Sequence, residues 1–356
     1  MIPLLQVPLL RLVPKCCCRQ TPKASALLPW HLHNKPNIVR LYLRNNPSGF
    51  FVVIISEVFI HKGNMVKKGA ILLCAVTALL YSCKKDNPPA AAQKPEGFSQ
   101  KVLVEKFTTT SCGNCGRADL DIEAFKKQYN GKVISVHYHL PTGQFGGDSM
   151  ATLEGQNIAA MFGLLGTPFA AINRNHLPGD TTKLLFAGGN WGTPIAGNVA
   201  LQPACGISVD ASTINNSMMD VKVGVKFSQT IIEPLSLTVL LLEDSVTGDE
   251  GYWQANYYNT DATVPQLFGR GHPIKNYVHN DVYRAAISPF WGQAIPAGNT
   301  LANTQYSATF SIDISAYRKP HLKVVAFIHG QGDAMRLHKY KVLNAQEVHA
   351  GNAQPF

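Results

Sequence analysis

The chain has 356 residues, 46% of them hydrophobic and 15% charged, the composition of a globular protein long enough to build two cores. Its formal charge of +10 is local: the first 64 residues carry eight Lys/Arg against one acid, and Lys67 and Lys68 follow, so only +1 remains from Cys83 onward. No basic patch interleaved with aromatics stands out there, and nucleic-acid binding is not supported.

In chain order, residues 1–64 hold Cys16-Cys17-Cys18, scattered prolines and an apolar run, Phe51 to Ile60, too short to span a bilayer. From Met65 the chain reads MVKKGAILLCAVTALLYSC, a basic pair, an apolar core and a small residue before a cysteine. That order is an export signal over 65–83. It makes Met65 the expected start and residues 1–64 upstream sequence outside the fold. Leu80-Tyr81-Ser82-Cys83 resembles the lipobox of bacterial lipoproteins, which implies cleavage before Cys83 and its lipidation; Tyr81 is bulkier than that motif usually carries. Residues 84–97, polar and rich in Pro and Ala, read as a flexible tether.

Residues 98–198 alternate strand and helix signals. Val102-Leu103-Val104 suits a strand buried on both faces. Ala118, Ile122, Phe125 and Tyr129 make one face of a helix that starts near the cysteines and that Gly131 closes. A second strand follows at Val133 to Tyr138, a second helical stretch at Ser149 to Leu164, and a third strand at Phe169 to Ile172 behind Thr167-Pro168. The order βαβαβ predicts parallel pairing through right-handed crossovers.

The chemistry of this region is in Cys112 and Cys115, spaced Cys-x-x-Cys between strand and helix. Cys112 falls where the turn meets the helix, near unpaired amides and the positive end of the helix dipole, both of which favour a thiolate. Cys115, one turn in, is expected to be buried. Cys112 is therefore the candidate nucleophile and Cys115 the resolving thiol.

TSCGNC followed by a helix, with LLGTPFAAINRN further on, resembles the thioredoxin superfamily. More narrowly, EKFTTTSCGNC, GTPFAAINR, KVVAFIH and VLNAQEV resemble a Bacteroidetes family of outer-membrane lipoproteins grouped with a twenty-eight-kilodalton outer-membrane protein, over Lys101 to Val348. The resemblance implies a cis peptide before Pro168, with Thr167 and Pro168 facing the cysteines and offering backbone hydrogen bonds to a substrate peptide. Two departures stand out. Asn114 replaces the proline usual between the cysteines, and Lys106 stands where thioredoxin has a buried acid, with Glu105 one position earlier. A lysine favours a thiolate electrostatically but is no proton acceptor.

Cys112, Cys115, His137 and His139 would make a Cys2His2 set, with the two histidines on one strand face; packing or hydrogen bonding is the commoner use of such histidines, and no metal or cofactor is assigned. Gly116 excludes a c-type haem attachment.

Residues 205–350 change to period two. Val221, Val223, Val225 and Phe227 point one way, and Leu235 to Leu242, Tyr306 to Ile314, His321 to Ile328 and Tyr340 to Val348 continue the alternation. That predicts an antiparallel, immunoglobulin-like β-sandwich behind a thioredoxin-like domain, an α/β plus all-β chain. Between Glu243 and Asn303 lies an irregular stretch rich in aromatics, either a binding surface or the cover of a satellite core. His279, Asn280, Asp281 and Arg284 cluster there without a nucleophile motif, and no catalysis is assigned to them. Cys205 reads as a small buried hydrophobe.

Two functions follow. One is thiol–disulfide exchange on extracytoplasmic protein or peptide thiols and disulfides, by a protein lipid-anchored to the outer membrane. The other is a non-enzymatic, adhesin-like surface or binding protein in which Cys112–Cys115 is a structural disulfide. The sequence sets no oligomeric state.

Overall fold

The computed structural model describes residues 41–45, 51–55, 97–142, 147–178, 183–332 and 340–356. The chain divides into two compact units, 1–85 and 86–356. In the first, β1 (Leu41–Asn45) pairs antiparallel with β2 (Phe51–Ile55). The export segment 65–83, Cys83 and the tether up to residue 96 lie outside the described residues.

The second unit begins with β3 (Val102–Thr108), α1 (Cys115–Gln128) and β4 (Val133–His139), and continues with α2 (Leu153–Met161), β5 (Phe169–Ile172), β6 (Leu185–Ala187) and α3 (Gly192–Val199). The helical spacing read from the sequence holds: Ala118 and Ile122 are buried with Val102 and Val104, and Phe125 and Tyr129 pack on the same cluster. Gly131, at φ +73°, sends its amide to the Lys126 carbonyl at 3.0 Å and stops α1. α2 starts on Thr152, whose hydroxyl accepts from the Gly155 amide at 3.1 Å.

β3 and β4 are parallel, from Val102 opposite Val133 to Thr108 opposite His139. β5, however, runs antiparallel to β3, with Phe107 opposite Phe169, and β6 is antiparallel to β5. The all-parallel expectation is corrected here: the connection through α2 returns the chain to the end of the sheet where β3 finishes, so that Phe169, the first residue of β5, lies opposite Phe107 near the end of β3 and the strand runs back the other way.

The remaining strands are β7 (Cys205–Asn215), β8 (Met218–Phe227), β9 (Leu235–Glu243), β10 (Val282–Ala286), β11 (Gln293–Ile295), β12 (Gln305–Asp313), β13 (Leu322–Gly330), β14 (Val342–His349) and β15 (Ala353–Gln354). Two sheets result. One has nine strands, in the order β14-β13-β9-β10-β4-β3-β5-β6 with β11 beside β9; the other has four, in the order β12-β8-β7-β15. Val221, Val223, Val225 and Phe227 are buried as the alternation predicts, and face Leu237, Val239, Leu241, Val324 and Ala326 across the sandwich core.

β9 departs from alternation, because all nine of its residues are buried. Leu237, Val239 and Leu241 face the four-stranded sheet, while Leu240 and Leu242 join Val325 and Phe327 in a second core that also contains Leu103, Tyr138 and Ile158. A strand covered on both faces has no polar side to write into its sequence. The join between the two halves of the large sheet is narrow: Val282 of β10 pairs with His137 of β4, and the His137 amide donates to the Asp281 carbonyl at 2.8 Å.

Candidate redox site

The turn after β3 delivers the cysteines to the N-terminus of α1. Thr109 O accepts the Cys112 amide, and Cys112 O accepts the Cys115 amide, both at 3.1 Å. Cys112 and Cys115 form a disulfide with Cα atoms 5.3 Å apart. Cys112 is partly buried and Cys115 fully buried, so Cys112 is the more exposed residue of the pair. The Thr167–Pro168 peptide is cis. Asn114, Arg117, Thr167, Pro168, Gly188 and Tyr258 line one open groove of about 510 Å³. The turn between the cysteines and the proline loop, more than fifty positions apart in sequence, thus share a surface. Gly188 keeps this groove open, since a Cβ there would lie 2.9 Å from the Pro168 ring.

Beneath the turn the sheet carries charges. Lys106 is buried and ion-paired with Asp119, which lies one helical turn beyond Cys115. Asp119 Oδ2 also accepts the Tyr277 hydroxyl at 2.8 Å, and His137 Nδ1 stands 3.6 Å from Oδ1. Burial pushes the Asp119 carboxyl up, but the charge of Lys106 and the hydrogen bonds from Lys106 and Tyr277 outweigh it and hold it at about 2. His137 stays neutral, its pKa lowered by burial first and by Lys106 second. Glu105 takes a different partner: Arg174 grips both its oxygens, at 2.7 and 2.8 Å, in a fully buried bidentate pair.

His139 is engaged by a carboxylate. Its Nδ1 meets Asp148 Oδ2 at 2.8 Å, and that oxygen also accepts the Thr110 amide at 2.9 Å. Among the described residues, no group of three or more His, Cys, Asp or Glu side chains is arranged to hold a metal. The His279 cluster disperses in the same way. His279 Nε2 meets the Tyr252 carbonyl at 2.9 Å, Asn280 accepts the Ser245 amide at 2.9 Å, Asp281 pairs with Lys126 and Lys323, and Arg284 pairs with Glu243 at 2.8 Å. Cys205 is a buried free thiol, and burial raises its pKa to about 12.

The aromatic segment divides its tasks. Tyr258 and Tyr277 pack with Val264, Leu267, Ile274 and Leu120 in a satellite core, while Tyr257, Phe268 and Trp291 stay about half exposed or more. Its backbone is tied by isolated bridges, Val246 to His279 and Gln254 to Ile274. Gln254 and Tyr257 reach the cysteine turn itself. Sequence reading missed Asp119, Arg174 and Gln254, and saw Tyr258 only as one of the aromatics of a possible binding surface. Asp119 has a local signal, its i+4 spacing from Cys115; Gln254 has none, because only the long-range fold brings it to the turn.

The second unit, in its described residues, is thus mostly β, with two sheets and a disulfide at the start of its first sheet-packed helix, and no helix among the described residues is long and apolar enough to cross a membrane. The chain belongs to the outer-membrane family described as Outer membrane protein Omp28, whose pattern matches residues 156–354. The match takes in Thr167–Pro168 and the aromatic segment but starts beyond Cys115. Among solved structures, HBP35 of Porphyromonas gingivalis is similar at a TM-score of 0.53 and 18% identity, over 72% of this chain and 77% of that one, a likeness of fold. A protein of Agrobacterium tumefaciens aligns over 72% of this chain and 97% of its own at 14% identity and a TM-score of 0.44. No curated protein matches the chain.

Proposed function

We propose that this outer-membrane family member is exported, lipid-anchored through Cys83, and performs thiol–disulfide exchange on extracytoplasmic proteins or peptides. In this reading residues 98–198 are a thioredoxin-like domain and residues 205–350 an immunoglobulin-like sandwich. The observation that carries it is the pairing of a partly exposed Cys112 with a fully buried Cys115 at a helix N-terminus, beside a groove that contains cis-Pro168.

In the oxidising direction, a substrate thiolate attacks Cys112 Sγ, the Cys112–Cys115 bond breaks, and Cys115 leaves as a thiolate. A second substrate thiolate then attacks the substrate sulfur of the mixed disulfide, which releases the oxidised substrate and leaves Cys112 and Cys115 reduced. Thr167 and Pro168 hold the substrate chain. Lys106 is ion-paired with Asp119, one helical turn beyond Cys115.

The test is disulfide reduction in insulin by the full chain with a dithiol donor, against Cys112→Ser. Turnover that the substitution abolishes supports exchange; absence of turnover, with a pair that resists reduction below about −300 mV, overturns it. One observation favours the second reading, a surface or binding protein with a structural disulfide: three carbonyls of the cysteine turn are already bonded by the aromatic segment. The same assay decides between them.

A further inference from the structure

Residues 254–257, which come from the far side of the sheet join, lie along the cysteine turn. Gln254 is buried and donates its Nε2 to the Cys112 carbonyl at 2.8 Å, with the Thr110 carbonyl at 3.3 Å. The Ala255 amide donates to Thr110 O at 2.8 Å, and the Tyr257 amide to Gly113 O at 3.0 Å. The Tyr257 ring lies so close over Gly113 that a Cβ there would stand 2.3 Å from it. Below the turn, Tyr277 holds Asp119, and Leu120 of α1 packs into the segment's own core. Cys112 O is also the acceptor for the Cys115 amide, so Gln254 bonds the atom that already links the two cysteines.

We propose that the 254–257 segment, with Gln254 as the positioning residue, sets the balance between the disulfide and dithiol forms of Cys112–Cys115 by clamping the turn in its ring-closed shape. The proposal deepens the exchange reading and rests on it for its use, although the balance is measurable without turnover. Reduction by a dithiol breaks the Cys112–Cys115 bond, transfers two electrons to the pair, leaves a thiol on each cysteine and converts the reagent to its own disulfide. Once the bond opens, a free turn gains conformations that a closed ring lacks, and that gain favours the dithiol. A turn clamped by three hydrogen bonds and a covering ring gains fewer, so the disulfide is favoured. Redox control therefore comes from a segment more than a hundred residues away in sequence.

The experiment equilibrates the full chain with reduced and oxidised dithiothreitol and reads the pair by alkylation and the mass of the peptide that contains both cysteines. Gln254→Ala is expected to move the equilibrium toward the dithiol by about three- to tenfold, the value of one lost hydrogen bond. Tyr257→Ala, at a residue 65% exposed and therefore safe for folding, is expected to move it the same way by about twofold. Leu241→Ala, a destabilising change in the sandwich core, is expected to leave it unchanged. An unshifted equilibrium in both segment variants, or a shift toward the disulfide, overturns the clamp. If Gln254→Ala does not fold, Tyr257→Ala decides alone, and no shift there overturns it. Insulin turnover with an unshifted equilibrium sinks the clamp and spares exchange; a shifted equilibrium without turnover sinks exchange and spares the clamp.

Discussion

The sandwich core and the join between β4 and β10 belong to one unit but are held by opposite chemistry. Between the sheets, Val221, Val223, Leu237, Leu241, Val324 and Ile328 bury apolar area against one another with no charge among them. At the join, one residue pair links the strands, and fully buried Asp281 sits between Lys126 of α1 and Lys323 of β13, with the Ser135 hydroxyl at 2.5 Å. Burial alone would raise the Asp281 pKa, but Lys126 and Lys323 drive it far below the carboxylate range. An apolar interface tolerates loss of one contact in proportion to the volume removed. A buried charge network responds all at once, because removal of its centre takes the buried partner from both lysines and leaves Lys126 only Glu123, at 3.0 Å, and Lys323 only Asp244, at 3.1 Å, both more exposed carboxylates.

Asp281→Ala should therefore be the most damaging single change, at about 3–5 kcal/mol by chemical denaturation. A loss under 1 kcal/mol would mean that the join is not held by its charges. Leu241→Ala should cost about 2–5 kcal/mol through its cavity, and that cost should not change with pH or salt.

Acid should separate the regions further. His279 is pushed down to about 4 by burial and by its neighbour His139, and His329 to about 3 by burial and Arg174. Each is buried neutral, so its folded pKa lies below the unfolded value of about 6.5. Their contribution is complete above that pH and is lost as pH falls toward 4 and 3, because the unfolded chain binds the proton first. Asp119, at about 2 against about 3.9 unfolded, adds a second loss as pH falls below about 4. Denaturant midpoints measured from pH 7 to pH 3 should fall throughout, and His279→Gln should flatten the part between about 6.5 and 4. A midpoint that stays level over that range refutes the assignment. The smallest effect belongs to Arg117–Asp121, an exposed pair at 3.1 Å on α1; Arg117→Ala should change stability by less than about 1 kcal/mol.

Much of this could be read in advance where the signal was local. The helix face of Ala118, Ile122, Phe125 and Tyr129, the stop at Gly131 and the inward alternation of β8 each follow from neighbours within one or two turns of chain. Strand direction at β5 and the double burial of β9 did not follow, since both depend on what the rest of the chain lays beside those strands. In the site, Cys112, Cys115, Thr167 and Pro168 were legible as motifs, and Lys106 as an oddity. That Asp119 answers Lys106 while Arg174 answers Glu105 was not legible, because pairing depends on which helix or loop crosses each strand face.

The sequence by itself determined the local pieces: a cysteine pair on a helix N-terminus, a cis-capable Thr-Pro ahead of a strand, and the periods that make helix or strand. These rest on short-range sterics and hydrogen bonding, which a few adjacent residues specify. Only the tertiary structure decided that the two halves share one nine-stranded sheet, and that an aromatic segment lies on the cysteine turn. Both depend on which surfaces must be buried together, and burial is a property of the whole chain.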